Sequence, residues 1–179
     1  MVKKQYECGI IPHVREFEDV SKLCEKYNHC HIIDLRTDKV EHVIREIIKC
    51  KYVLSSSLHG LIVAHAYGIP ALFFQYTHKG EGLFKYNDYF SSVQIKEYFP
   101  EIFSEGTKLS LKSIENRFRI NGSICLPNRD VLEMQRQLIS AAPFPLYEKF
   151  YGDSLEREIH DEFVYLKKLK EVCVKTIQP

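Results

Sequence analysis

The chain has 179 residues, of which 45% are hydrophobic and 27% are charged. This composition predicts a folded protein with a sizeable core and excludes a disordered chain. Lys and Arg number 25 against 24 Asp and Glu, which gives a net charge of +1. Because the charges are balanced and no basic block stands out, we expect no nucleic-acid partner.

The sequence shows no apolar run long enough for a signal sequence or a membrane span, which predicts a cytoplasmic protein. It has six cysteines but no C-x-x-C pair. In a reducing compartment such thiols stay free, so we expect buried free cysteines rather than disulfides.

Strand-like and helix-like segments alternate along the first half of the chain. We expect strands over residues 6–12, 31–35, 52–55 and 71–75, and helices over residues 17–27 and 58–67. A further helix is expected after residue 38, where Asp38 and Glu41 have capping-box spacing and precede apolar residues at helical spacing: Val40, Val43, Ile44, Ile47 and Ile48. This alternation predicts an α/β fold with a doubly wound, mostly parallel sheet.

The second half of the chain is less regular. Residues 103–128 mix Gly, Asn and charged residues, which predicts a long connection. A helix is expected over residues 130–141 and a long amphipathic helix over residues 153–174. We therefore expect a Rossmann-like domain over residues 1–150 and a C-terminal amphipathic helix within residues 151–179.

The most informative segment is YVLSSSLHGLIVAHAYGIP, residues 52–70. An apolar strand leads through three serines into a helix that Gly68 and Pro70 should stop. The first turn of a helix carries unpaired N–H groups and the positive end of the helix dipole, so it favours anions. His59 stands in that turn and could give or accept a proton there. Ligands of parallel sheets bind beyond the carboxyl ends of the strands, where this turn and the loop of residues 76–85 should both lie.

Several other patterns have ordinary structural explanations. A serine hydrolase is disfavoured, because G-x-S-x-G is absent and Ser57 and His59 are two residues apart on a helix. Three neighbours, His29, Cys30 and His31, could suggest a metal site, but a strand would turn the cysteine away from both histidines. We therefore expect no metal.

Other residues near the site also favour structural roles. His65 should serve packing or lie on the surface. Three aromatic residues could stack on a sugar, but they more often hold a loop in place: Tyr86, Tyr89 and Phe90.

The segment SSSLHGLIVAHAYGIP, with the GIIPH opening, the KYNDYFSS run and the AAPF after a C-terminal helix, resembles the polysaccharide pyruvyl transferase family. The resemblance covers roughly residues 7–145. It implies the C-terminal lobe of a two-lobed, GT-B-like enzyme, whose N-terminal lobe is missing from this sequence. Such a chain would expose an apolar docking face, which allows for a homodimer.

The resemblance implies transfer of a pyruvyl group from phosphoenolpyruvate to a saccharide or lipid-linked saccharide, in cell-surface polysaccharide synthesis. It implies no cofactor and a cytoplasmic enzyme that could work at the inner membrane face. His59 corresponds to the family's functional histidine, and Lys79 to its phosphoenolpyruvate-binding lysine. Further substrate-binding positions are expected around them: Ser57, Leu58, Gly60 and Lys85.

One position departs from the family pattern. Many members carry an arginine two residues before the histidine, where this chain has Ser57. An anion-binding charge is therefore missing there, or Lys85 or Arg36 replaces it.

Two other functions remain open. A lobe of a nucleotide-sugar glycosyltransferase would share the architecture, although no E-x-x-x-x-x-x-E pattern supports it in the C-terminal half. A catalytically incomplete lobe would bind an anion without turning it over.

Overall fold

The computed structural model describes residues 3–77 and 82–130, together with residues 133, 134 and 137. The chain divides into two units, Val2–Asn128 and Arg129–Pro179 with Met1. Residues 133, 134 and 137 are helical, as expected for the segment 130–141. The rest of that segment after residue 130, the helix 153–174 and the domain boundary at residue 150 lie outside the described residues and stay predictions.

Five parallel strands form a single sheet in the order β2-β1-β3-β4-β5. Their bounds are β1 Tyr6–Ile11, β2 Cys30–Ile32, β3 Cys50–Ser55, β4 Ala71–Tyr76 and β5 Glu101–Phe103. Ser55, the last residue of β3, lies beside Ile11 of β1 and Phe73 of β4. The predicted α/β, Rossmann-like parallel sheet is confirmed.

Helices connect these strands and continue after β5. They are α1 Phe17–Cys24, α2 Val40–Ile48, α3 Leu58–Ala66, α4 Phe84–Ser92 and α5 Leu111–Ile120. A short 3-10 turn, Val14–Glu16, joins β1 to α1. Among the described residues, no helix is long and apolar enough to cross a membrane.

Each strand sends alternate side chains to opposite faces of the sheet. One face packs against α1 and α5 in a single apolar cluster, which includes Ile10, Val20, Leu54, Phe74, Ile114 and Phe118. The other face receives α3 and α4: a buried leucine of α3, Leu61, and the ring of Tyr86 of α4, which stacks on Phe73 at 3.8 Å between centroids. Helices thus cover both faces, as a parallel sheet requires.

The order of the strands reverses between β1 and β3. From β1 the chain turns outward to β2, then crosses back to β3 and continues through β4 to β5. In doubly wound sheets the ligand crevice opens at this switch point, beyond the carboxyl ends of the two strands. The residues that follow β1 and β3 therefore border the expected binding site.

Helix α3 ends where the sequence predicts. Gly68 has a φ of 68°, in the left-handed region that glycine adopts at low cost, and its N–H donates to the carbonyl oxygen of His65. The N–H of Ile69 then donates to the carbonyl oxygen of Ala64, which completes the closing turn before Pro70.

Two predictions about secondary structure are wrong. The N-cap of α2 is Lys39 rather than Asp38, and no side chain caps this helix, so there is no capping box. The hydroxyl of Thr37 accepts from the N–H of Lys39 instead, which satisfies the turn before the helix. The expected long connection over residues 103–128 holds helix α5 and the last residue of β5.

The prediction of buried free cysteines is confirmed for most of the cysteines that the structure describes. Within the described residues five cysteines are free, and four of them are buried: Cys8, Cys24, Cys50 and Cys125. Burial raises the pKa of the Cys24 and Cys50 thiols to about 12, so they stay protonated and unreactive at neutral pH.

His65 packs in the core rather than in the site. Its Nδ1 lies 2.8 Å from the hydroxyl of Tyr89 and its Nε2 lies 3.4 Å from the carbonyl oxygen of Ala71. Burial lowers the pKa of His65 to about 4, which keeps the ring neutral.

We expect the stability of the protein to fall in mild acid because of His65. Its pKa is 6.5 in the unfolded chain and about 4 in the folded protein. Between these values the unfolded state binds more protons, so stability falls as the pH falls through this window. This group alone should cost roughly 2 kcal/mol between pH 7 and pH 5.

Urea unfolding of the wild type and of His65→Gln at both pH values measures this effect. The wild type should lose more stability than His65→Gln, while a variant of an exposed histidine, His42→Gln, should behave as the wild type does. Equal losses for the wild type and His65→Gln would contradict the assignment.

Candidate active site

The turn between β3 and α3 is held by the hydroxyl of Ser55. This oxygen accepts from the N–H of Ser57 at 3.1 Å and lies within hydrogen-bonding distance of two carbonyl oxygens, those of Ile11 and Ser57. The N–H of Ser56 donates to the carbonyl oxygen of Ile11 at 3.0 Å. The three serines therefore act as a buried hydrogen-bonded turn that joins the ends of β1 and β3.

Gly60 allows α3 to approach the sheet closely. A Cβ atom at this position would lie 2.4 Å from the Oγ of Ser55 and 2.8 Å from the Cγ2 of Ile11. Both distances are below any normal contact. The first turn of α3 can hold this position only because residue 60 has no side chain.

His59 is the second residue of α3 and is exposed, directly beyond the carboxyl end of β3. The predicted place of His59 in the fold is confirmed. Ser57 is the N-cap of the helix, but its side chain makes no capping hydrogen bond. The side chain of Ser57 therefore does not satisfy the first N–H groups of α3, which have no partner within the helix itself.

His13 follows β1 and faces the same turn. Its N–H donates to the Oγ of Ser56 at 2.8 Å, and its Nδ1 accepts from the N–H of Arg15 at 3.3 Å. Burial lowers the pKa of His13, and the positive charges of Lys85 and Arg15 lower it further, against the opposing effect of Glu16. A second histidine thus lies at the switch point, with its neutral form favoured.

Helix α4 is attached to the same turn. The hydroxyl of Tyr86 donates to the carbonyl oxygen of Ser56 at 2.8 Å, and burial raises the pKa of Tyr86 to about 12. The Nζ of Lys85 lies 5.3 Å from the centroid of the Tyr86 ring and acts electrostatically on His13. The structure therefore brings Lys85 to the edge of the sheet where His59 lies.

The sequence analysis named two more positively charged residues as candidates for anion binding, Lys79 and Arg36. Lys79 lies outside the described residues, so its role stays a prediction. Arg36 makes a two-pronged contact with Asp34, with two bonds of 2.9 Å, and lies over the ring of Phe17. This arrangement commits Arg36 to its own loop after β2.

The aromatic residues of α4 serve packing. Tyr86 and Phe90 are buried and stack on Phe73 and Tyr98, and Tyr89 contacts His65. They support the segment rather than offer a platform for a sugar.

The metal interpretation of residues 29–31 also finds no support. The Nε2 of His29 and the Sγ of Cys30 both approach the carbonyl oxygen of Leu109, while His31 contacts Glu46. The sequence predicted that the side chain of Cys30 points away from both His29 and His31. This prediction is wrong for His29, because His29 and Cys30 approach the same carbonyl oxygen. Among the described residues, no group of three or more His, Cys, Asp or Glu side chains is placed to hold a metal ion.

Sequence reasoning assigned no role to His13 or Glu16, although both follow β1 at the switch point. The rule that ligands bind beyond carboxyl ends was applied to β3 and β4 but applies equally to β1. Glu16 is only 3% exposed, and its Oε1 accepts from the N–H of Tyr76 at 3.3 Å. Nothing in the local sequence signals that this glutamate is buried.

Comparison with known protein families identifies the part of the chain that carries this geometry. Residues 4–78 match the polysaccharide pyruvyl transferase family. The matched segment holds β1 to β4, the serine turn and His59, so the resemblance seen in the sequence is confirmed for it. Lys79 lies one residue beyond the match.

A viral protein is also similar to this chain. It is an uncharacterized protein of Acanthamoeba polyphaga mimivirus, 30% identical over 130 residues, which are 70% of this chain and 43% of the relative. The chain thus spans less than half of the length of this relative. No solved structure matches the chain.

We expect Gly60→Ala to destabilise the protein. The added Cβ would collide with Ser55 and Ile11, and such overpacking costs about 1–3 kcal/mol, which exceeds the helix-propensity gain of about 1 kcal/mol. Gly106→Ala is the matched control, because a Cβ there meets nothing within 4 Å.

Urea unfolding of both variants measures the difference. Gly106→Ala should stay within about 0.5 kcal/mol of the wild type. A Gly60→Ala protein as stable as the wild type would show that α3 does not depend on this close contact.

Proposed function

We propose that this chain provides the phosphoenolpyruvate-binding lobe of a polysaccharide pyruvyl transferase. The observation that carries the proposal is the place of His59, which lies exposed in the first turn of α3, at the switch point of the sheet and within the family match. The reaction would move the pyruvyl group to a saccharide or lipid-linked saccharide used for cell-surface polysaccharide.

Phosphoenolpyruvate carries a phosphate and a carboxylate, and both groups suit the first turn of α3. Backbone N–H groups and the helix dipole favour negative charge at that point. In this proposal the N–H groups of Leu58, His59 and Gly60 receive one anionic group, and Lys79 and Lys85 supply positive charge, where Ser57 replaces the family's arginine.

The proposed chemistry requires a group that transfers a proton near neutral pH. Protonation of the methylene carbon of phosphoenolpyruvate makes its neighbouring carbon electrophilic, and a sugar hydroxyl then adds to that carbon and loses its proton. A second hydroxyl displaces phosphate and completes the ketal. A histidine titrates in the right range to give or take such a proton, so His59 is the proposed catalytic residue.

Transfer also requires an acceptor held in line with the donor. The family's two-lobed arrangement holds the two substrates between facing surfaces, and this sequence resembles one lobe. We therefore expect the isolated chain to bind phosphoenolpyruvate without measurable transfer, unless a second copy of the chain supplies the facing surface. Phosphate release that requires both phosphoenolpyruvate and a sugar, from the monomeric chain alone, would contradict this.

Calorimetric titration of the full chain tests the donor site. Phosphoenolpyruvate should bind more tightly than uridine or guanosine diphosphate. Lys79→Ala should weaken the binding by about 1.5–3 kcal/mol, the usual contribution of a hydrogen bond between charged groups. Lys112→Ala, an exposed lysine on α5, is the matched control and should bind as the wild type does.

The role of His59 is tested by a measurement of turnover rather than of binding. In a complete enzyme His59→Ala should lower turnover by roughly a hundred- to ten-thousand-fold, whereas His42→Ala, another exposed histidine, should not.

Two results of the calorimetric titration would count against the donor site. Tight nucleoside diphosphate binding that does not depend on Lys79 would favour a glycosyltransferase lobe. A chain that binds neither phosphoenolpyruvate nor a nucleoside diphosphate would refute the donor site.

A further inference from the structure

The side chain of His13 is oriented by a hydrogen bond at the switch point of the sheet. Its Nδ1 accepts from the N–H of Arg15 at 3.3 Å and so caps the short turn that follows β1. The backbone N–H of His13 donates to the Oγ of Ser56 at 2.8 Å, at the turn that leads to His59. The residue is half-buried, so its ring is tied to the turn and still reaches solvent.

The hydrogen bond to Nδ1 decides which ring nitrogen of His13 carries the proton. A neutral imidazole has one N–H donor and one acceptor nitrogen. Because Nδ1 accepts from Arg15, the proton of the neutral ring lies on Nε2. Burial lowers the pKa of His13 and favours this neutral form. Glu16 opposes the effect, and the positive charges of Lys85 and Arg15 strengthen it.

A ring in this form offers a hydrogen-bond donor rather than a base. Nε2 already carries its proton, and Nδ1 is engaged with the N–H of Arg15. An uncharged N–H donor suits an oxygen atom that bears negative charge, and neutral histidines serve in this way in other active sites. The role available to His13 therefore differs from that of His59, which is the proposed group for proton transfer.

The fold brings His13 next to the first turn of α3. Two residues before it in the chain, Ile11 packs so closely on this turn that its Cγ2 would lie 2.8 Å from a Cβ atom on residue 60. The carbonyl oxygen of Ile11 accepts from the N–H of Ser56 in the turn before the helix. From the start of α4, Lys85 acts electrostatically on the ring of His13. His13 thus borders the same edge of the sheet as the expected anion site.

We propose that the Nε2–H group of His13 binds a negatively charged oxygen of the ligand held by the first turn of α3. This inference rests on the proposed function for the identity of that ligand, phosphoenolpyruvate, and it deepens that function by naming a further binding residue. His13 binds and orients the donor substrate, while His59 transfers the proton.

Two substitutions separate this binding role from the cap of the turn. Asparagine is a favoured capping residue with an acceptor that can replace Nδ1, but it has no donor at the position of Nε2. Glutamine has an N–H donor that reaches the position of Nε2, but no acceptor at the position of Nδ1. In calorimetric titration of the full chain, His13→Asn should weaken phosphoenolpyruvate binding by about tenfold or more, whereas His13→Gln should stay within about threefold of the wild type.

Thermal unfolding should rank the two variants in the opposite order. His13→Asn keeps an acceptor for the N–H of Arg15 and should unfold near the temperature of the wild type, while His13→Gln should unfold at a lower temperature. If His13 served only as a cap, phosphoenolpyruvate binding would follow stability and His13→Gln would be the weaker binder. That result would overturn the inference. His42→Asn, a variant of an exposed histidine on α2, is the matched control and should change neither quantity.

Long-range proton–nitrogen NMR of the histidine rings tests the protonation directly. At neutral pH the His13 ring should carry its proton on Nε2, and a proton on Nδ1 would contradict the inference. Failure of the donor site would appear separately: a wild-type chain that binds no phosphoenolpyruvate would refute the donor site itself, and this inference with it. His13→Asn that binds phosphoenolpyruvate as tightly as the wild type would refute the role of His13 alone.

Discussion

The contact of Gly60 with Ser55 and Ile11 fixes the start of helix α3, and the rest of the site depends on it. Because residue 60 has no Cβ, the first turn of α3 lies directly on the ends of β1 and β3. Ser55 fills the space at this contact and uses its hydroxyl to hold the turn. His59 can therefore be exposed at the sheet edge although the helix that carries it is buried on its other side.

Hydrogen bonds at this edge join three strands and two helices into one arrangement. The Oγ of Ser56 receives the N–H of His13 after β1, and its carbonyl oxygen receives the hydroxyl of Tyr86 in α4. Glu16 continues the arrangement to the end of β4 through Tyr76. The ends of β1, β3 and β4 and the start of α4 thus meet at the edge of the sheet where His59 lies.

The sequence predicted β1, β3, β4 and α3, because strong local signals mark them, but it expected a loop over residues 76–85, where helix α4 begins at Phe84. The end of α3 follows from Gly68 and Pro70, and β3 and β4 are short apolar runs bounded by turn residues. The sequence did not predict β5, since three residues at the end of a sheet show no periodicity. It missed α5 because only two of its side chains, Ile114 and Phe118, are buried. The capping box failed because a different residue, Thr37, satisfies the turn before α2.

The candidate site was predicted only in part. Ser57 to Gly60 could be found from a motif, because the motif and the turn are local. The physical roles of these residues could not be predicted. The close packing at Gly60 depends on Ser55 and Ile11, which only the fold brings next to it. Glu16 could not be found at all, since the burial of its carboxylate depends on Tyr76, which is 60 residues away in the chain. Tertiary contacts of this range leave no trace in a local pattern.

The central claim is that the first turn of α3 is an anion site for phosphoenolpyruvate. A crystal structure of the chain with phosphoenolpyruvate tests this claim most directly. The account predicts phosphate or carboxylate oxygens within hydrogen-bonding distance of the N–H groups of Leu58 to Gly60, with the ring of His59 beside the ligand. Phosphoenolpyruvate bound at another surface, while this turn holds none, would contradict it.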